Sequence, residues 1–297
     1  MVTAESLTGS ENLTRNRIFR SFTYYSQLLV KDARHYQILF LSVFLAFGCL
    51  SLDWDISIMR MGITFGVCIA TQLIFAGFTT RDYSSVKSAL ISALSLCLML
   101  KTNLLWVSAF AAFLSIASKF LIRIRGKHVF NPTNFGIIIA MLVTGSAWIS
   151  PGQWGSDALL LFMVGILGLS VLIKVKRLDT AFAFALGFCG LSFFRSVIYQ
   201  GWPVDFFFHQ FSSGTLLLFT FFMITDPAST ASNKYARFVW AFAVGVLAFY
   251  LQAYKWVNGS PLWALFFLSP LTIILDRLFK GEKFKWVNPS TRSINEN

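Results

Sequence analysis

Two short polar breaks interrupt otherwise apolar runs: Phe130-Asn131-Pro132-Thr133-Asn134-Phe135-Gly136 and Phe222-Met223-Ile224-Thr225-Asp226-Pro227-Ala228-Ser229-Thr230. Uncompensated polar groups are expensive in such surroundings, so these side chains must either be held by protein partners or hold a ligand. Pro132 disfavours helical geometry at Asn131 and suits the first turn of a following helix, so Asn131 reads as a helix cap with a fixed side-chain amide. Thr225-Asp226-Pro227 reads as a helix end closed by proline, its acid within reach of Lys234 or Arg237. A fixed amide and a carboxyl suit the polar edge of a small molecule; capping and ion pairing are the plainer alternatives. Asp205 and His209, four residues apart, are candidates for a proton relay near the outer surface. The hydroxyls of Ser92, Ser95, Ser213, Thr215 and Thr220 would either line a site or join helices.

Other chemistries find no support. Cys49, Cys68, Cys97 and Cys189 all sit in apolar runs without metal-ligand spacing and read as small hydrophobes. His35, His128 and His209 are scattered, and no glycine-rich nucleotide loop is present. No catalytic residue and no metal site are expected.

The elements that must position the polar breaks follow from composition. The chain has 297 residues, of which 56% are hydrophobic, 17% aromatic and 13% charged, and its mean hydropathy is +0.65. Soluble domains carry roughly 25% charged residues, so this is an all-α polytopic membrane protein. About ten candidate spans are read at 38-52, 57-79, 86-100, 103-122, 134-150, 156-173, 180-199, 208-225, 236-254 and 261-276. Of these, 86-100 and 208-225 are the least comfortable as full crossings and are expected to be tilted or broken. The net charge of +12 falls on alternate loops: all basic residues except Arg60, Lys101, Arg195 and Lys255 lie on one side. The positive-inside rule then puts both termini in the cytoplasm and makes the charge a topology signal, not a nucleic-acid footprint. Residues 1-37 form a cytoplasmic N-terminal segment without a cleavable signal. The helical domain runs over 38-276, and 277-297 is a basic cytoplasmic tail. Ten spans with both ends inside divide into two inverted repeats of five helices, 38-150 and 156-276, in which helices three and eight correspond.

The polar breaks also carry a resemblance. Phe211-Ser212-Ser213-Gly214 through Phe221-Phe222-Met223-Ile224-Thr225-Asp226-Pro227 looks like a signature of the form FSGG...FFMATDP. Phe130-Asn131-Pro132 looks like FNPA, and Trp263-Ala264 through Leu275-Asp276 looks like a closing helix with a terminal Asp. In this order and spacing they make the chain resemble the RnfD/NqrB family, ten-helix membrane subunits of ion-translocating electron-transport complexes, over most of 40-280. The resemblance implies inverted five-helix repeats related to ammonium and urea channels, a flavin held within the bundle, an electron-donor partner subunit, and a multi-pass place in the cell's inner (plasma) membrane. One branch of the family holds riboflavin non-covalently near two asparagines of a Gly-Arg-Asn-x-x-Asn-Pro stretch. Here the stretch is Gly126-Lys127-His128-Val129-Phe130-Asn131-Pro132, so Asn131 matches and His128 replaces the other asparagine. The cofactor-binding residues implied are His128, Asn131, Thr133, Asn134, Ser213, Gly214, Thr225 and Asp226, for riboflavin or FMN. The family's covalent FMN sits on a threonine between spans five and six. Ser150-Pro151-Gly152-Gln153-Trp154-Gly155-Ser156-Asp157 contains none, so no covalent FMN is expected in this shortened RnfD-like chain.

Two functions remain open on these residues: an electron-transport protein with a non-covalent flavin, and an inverted-repeat transporter or channel for a small solute or ion. A bare scaffold within a membrane complex is a third. The lipid bilayer is a partner in each.

Overall fold

The computed structural model describes residues 33–51, 54, 57–79, 86–149, 158–211 and 213–281. Most of the expected N-terminal segment and basic tail, and the 150–157 loop that bears on covalent attachment, lie outside the described residues.

Helices form where the sequence is continuously apolar; α5 starts at the Asn131 cap and ends at Gly145, and α10 starts at the Asn233 cap. The first half holds α1 (Ala33–Ser51), α2 (Ile58–Thr79), α3 (Val86–Met99), α4 (Leu105–Leu121) and α5 (Pro132–Thr144). Four short strands join them: β1 (Leu100–Thr102), β2 (Arg123–Ile124), β3 (Lys127–His128) and β4 (Ala147–Ile149). β1 pairs antiparallel with β4, Leu100 opposite Ile149, so the ends of α3 and α5 are tied together. β2 and β3 form a hairpin between α4 and α5. The second half holds α6 (Ala158–Val175), α7 (Leu178–Phe193), α8 (Val204–Phe211), α9 (Gly214–Leu218), α10 (Lys234–Lys255), α11 (Ser260–Leu268) and α12 (Leu271–Leu278). α7 continues into a π-helical turn, Phe194–Tyr199, and α9 into another, Phe219–Met223.

Helix occurs at each of the ten apolar segments, but length separates them. Four stretches are long and apolar enough to cross a bilayer: Arg34–Ser51, Ile58–Thr79, Leu178–Tyr199 and Lys234–Lys255. The pair α11 and α12, bent by 46° at Ser269 and Pro270, makes a fifth. A crossing needs roughly 20 residues at 1.5 Å each; α3, α4 and α5 are shorter, whereas α6, at 18 residues, equals the first of the four. Of the ten crossings expected from hydropathy, four or five meet this length test among the described residues. The segment expected at 208-225 is two pieces: His209 belongs to the separate helix α8, and α9 restarts at Gly214.

Close helix contacts run through small residues. A Cβ added to Gly136 of α5 would lie 2.5 Å from the Ala111 carbonyl of α4. Added to Gly187 of α7 it would lie 2.6 Å from the Phe242 carbonyl of α10, and added to Gly245 of α10, 2.6 Å from the Phe184 carbonyl of α7. In the first half α2 packs on α4, α4 on α5 and α1 on α3; in the second α7 packs on α10, α10 on α11 and α6 on α9. The halves meet where α1 touches α6 and α5 touches α11. Phe44, Phe184, Phe219 and Trp240 fill the core, and the Trp240 indole N–H donates to the Leu268 carbonyl at 2.8 Å.

Candidate functional site

The two polar breaks meet at one end of the bundle, through pairs 92 and 95 residues apart in the chain. Asn131 caps α5: its side-chain oxygen accepts from the Asn134 amide at 3.1 Å, as the proline at the next position invites. Its Nδ2 donates to the Met223 carbonyl at 3.3 Å and lies 3.5 Å from Asp226 Oδ2. Asp226 closes its own turn, accepting from the Ala228 amide at 3.1 Å and from the Ser229 hydroxyl at 3.1 Å. Thr225 donates back to the Phe221 carbonyl at 2.6 Å, and Thr133 is buried in the first turn of α5. Asn134 is fully buried; its Nδ2 donates to the Leu262 carbonyl of α11 at 3.1 Å, and its Oδ1 has no hydrogen-bond partner.

The expected pairing of Asp226 with Lys234 or Arg237 gives way to another arrangement. Arg237 is turned to Asp179 at the start of α7, to which its Nε donates at 3.0 Å. Lys127 of β3 pairs with Asp276 of α12 at 2.5 Å, and Asp276 also accepts from the Ser232 amide at 2.7 Å. Placing Arg237 one turn into α10 aims it across at α7 rather than back along its own loop, which spacing along the chain does not reveal. Burial pushes the half-buried Asp226 carboxyl up, opposed by the Ala228 and Ser229 hydrogen bonds and by the fields of Lys119 and Arg177. Burial, reinforced by Arg123 and Lys119, holds the His128 imidazole down at about 4 and thus neutral, with its Nδ1 unpartnered. Burial and the neighbouring Arg237 lower Arg177 to about 10. Of the eight expected site residues, Asn131, Asn134, Thr225 and Asp226 are thus held by hydrogen bonds to protein at this junction, while His128 Nδ1 and Asn134 Oδ1 lack partners.

Open space lies elsewhere. A cavity of about 640 Å³ is bounded by the π turn after α7, the start of α9, the last turns of α10 and the start of α11. Ser213 is in its wall, next to Gly214 and Thr215. Phe188, Phe219, Phe249 and Trp256 give it ring surface; Gln200, Gln252 and Asn258 give it amides; Arg195 gives it a cation. Ile149 of β4 reaches it from the first half, against Gly259. Both π turns border it, through Arg195, Ser196 and Phe219. Such turns free backbone groups and re-aim side chains, and they recur at functional sites. The volume lies within the range of about 300–1,000 Å³ typical of small-molecule sites. Of this wall, reading the sequence singled out only Ser213 and Thr215. Arg195 carried an unused signal, being a cation inside an apolar helix, which is costly unless it has a task.

Other sequence candidates separate from both places. Ser92 and Thr220 donate to carbonyls one turn back in their own helices, and Asp205 and His209 are exposed on α8.

Residues 144–285 match the NQR2, RnfD, RnfE family. This stretch includes α6 to α12 and the whole wall of the cavity. No curated protein matches the chain.

Proposed function

We propose that this chain, whose residues 144–285 match the NQR2, RnfD, RnfE family, is a member of it, a multi-pass membrane subunit of an ion-translocating electron-transport complex that holds a flavin without a covalent bond. The observation that carries the flavin reading is the 640 Å³ cavity: it is large enough, ring-lined on its apolar part, and supplied with amide groups that match the donors and acceptors of a flavin's pyrimidine edge. A bound flavin would supply one- and two-electron chemistry, which the side chains do not. The protein's part is to fix the ring, exclude water and present it to a donor subunit in the inner (plasma) membrane.

In this reading Ser213 and Gly214 stand at the cofactor. Asn131 with Asp226, and Asn134 with Leu262, form the joint that sets the two halves of the bundle and the start of α11 beside the cofactor, with Thr133, Thr225 and His128 nearby in the same breaks. Two five-helix repeats fit the packing order, since the neighbours of α2, α4 and α5 are matched in the second half by those of α7, α10 and α11. The joint between α5 and α11 then lies on the relation between the repeats.

The absorbance spectrum of the detergent-purified protein, taken before and after acid precipitation, tests the proposal. A flavin band released into the supernatant is expected. A band retained in the pellet overturns the non-covalent reading, and a colourless protein transfers the cavity to the transport alternative, with solute flux into liposomes as its measurement.

A further inference from the structure

We infer that the cavity is a seat for an amphipathic anion, whose carboxylate, sulfonate or phosphate group meets Arg195 and the amino end of α11 while its aromatic body lies between Phe188, Phe219 and Phe249. The inference rests on the cavity being the ligand site proposed above and adds the charge of what it holds. Arg195 is the charged side chain among the cavity's described lining residues, and no aspartate or glutamate is among them. Its guanidinium lies 4.6 Å from the Tyr254 ring centre, a stacking that holds the planar fork in place before any ligand arrives.

A second source of positive potential points the same way. α11 begins in the wall, at Gly259, Ser260, Pro261 and Leu262, and its cap is a glycine with φ +67° that offers no side-chain oxygen to the first-turn amides. Pro261 has no N–H and the Leu262 amide donates to the Gly259 carbonyl at 2.9 Å, so what this end offers an anion is the Ser260 amide and the positive end of the helix dipole. The Thr215 hydroxyl supplies an independent sign of a missing partner. Thr215 is only 5% exposed, it stands in the cavity wall, and its Oγ1 has no hydrogen-bond partner. A buried hydroxyl in that state is unfavourable until a ligand oxygen meets it.

Riboflavin and its 5′-phosphate share one ring system and differ by the anionic group, so they separate the two claims. The full chain in non-ionic detergent is titrated with each, and with naphthalene-2-sulfonate as a flavin-free aromatic anion, by flavin fluorescence and by quenching of the cavity tryptophans. We expect the phosphate ester to bind at least about tenfold more tightly than riboflavin, through the charge-assisted contacts. Arg195→Gln should remove that preference while Arg195→Lys retains most of it, and Thr215→Val, which leaves the cation in place, should weaken both flavins. Equal affinity for the two flavins, unchanged in Arg195→Gln, overturns the anion seat and leaves the flavin reading standing. Naphthalene-2-sulfonate binding that Arg195→Gln weakens, with neither flavin bound, overturns the flavin reading and keeps the seat. Failure of all three to bind overturns both.

Discussion

Asn131 directs its cap oxygen and its amide to the protein, and this decides what its replacement will do. Asn131→Ala removes the α5 cap and takes one of two donors from the buried Met223 carbonyl, which keeps the Asp226 amide at 3.3 Å. Together these cost about 1–2 kcal/mol, read as a lower thermal midpoint, while flavin content per folded molecule should stay unchanged because the cavity lies elsewhere. Loss of flavin at unchanged stability would return the site to Asn131. His128 makes a second prediction. Its folded value of about 4 lies below the usual 6.5, so the neutral ring's contribution is complete above pH 6.5 and is lost as the pH falls toward 4. Its upper size is about 3 kcal/mol. The thermal midpoint of the wild type should fall more between pH 7 and pH 5 than that of His128→Gln. The cap was legible because Asn-Pro states it locally. Its partners were not, because the Met223 carbonyl is presented by a π turn 92 residues away and no sequence period marks such a turn.

At the level of elements, apolar runs located all ten helical segments, since burying a continuous apolar stretch leaves helix as the only way to pair its backbone. They did not give the lengths: α5 stops at Gly145, where the backbone turns left-handed at φ +60°, and the last segment bends at Pro270. The segment 208-225 is expected to be tilted or broken, but its start is misplaced inside α8, since Phe206, Phe207 and Phe208 are apolar enough to merge α8 with α9 in a hydropathy reading. Close approach of α7 and α10 is a property of two particular glycines. Gly245→Ala forces a Cβ to 2.6 Å from the Phe184 carbonyl, and the helices must separate at a cost of about 1–3 kcal/mol. Gly190→Ala, on the same α7 but with nothing within 4 Å of the new methyl, should be neutral or stabilising by up to about 1 kcal/mol through helix propensity. Thermal midpoints of the two variants in one detergent make the comparison. Equal losses would mean that the α7–α10 contact is not set by Gly245.

For the molecule as a whole, the positions of the charges and of the two sites make one argument. The Asn131–Asp226 joint and the ion pairs Lys127–Asp276 and Arg237–Asp179 gather at one end, where the sequence puts nearly all basic residues. The cavity with Arg195 lies at the far end of α10, whose last residue is Lys255, and both belong to the few cations that charge counting assigns to the opposite side. By the positive-inside rule we propose that the joint faces the cytoplasm and the cavity mouth the outside. Tyr235, 80% exposed at the start of α10, and Lys255, exposed at its end, are 20 residues apart on one helix and so stand about 30 Å apart, the thickness of a hydrocarbon core. In a chain whose four native cysteines are replaced by alanine or serine, Tyr235→Cys should react with a membrane-impermeant maleimide only in inside-out vesicles, and Lys255→Cys only in right-side-out ones. The reverse pattern would invert the molecule and send the proposed anion to the cavity from the cytoplasm; reaction of both cysteines from one side would mean that α10 does not cross at all, and the two-sided arrangement would fall with it.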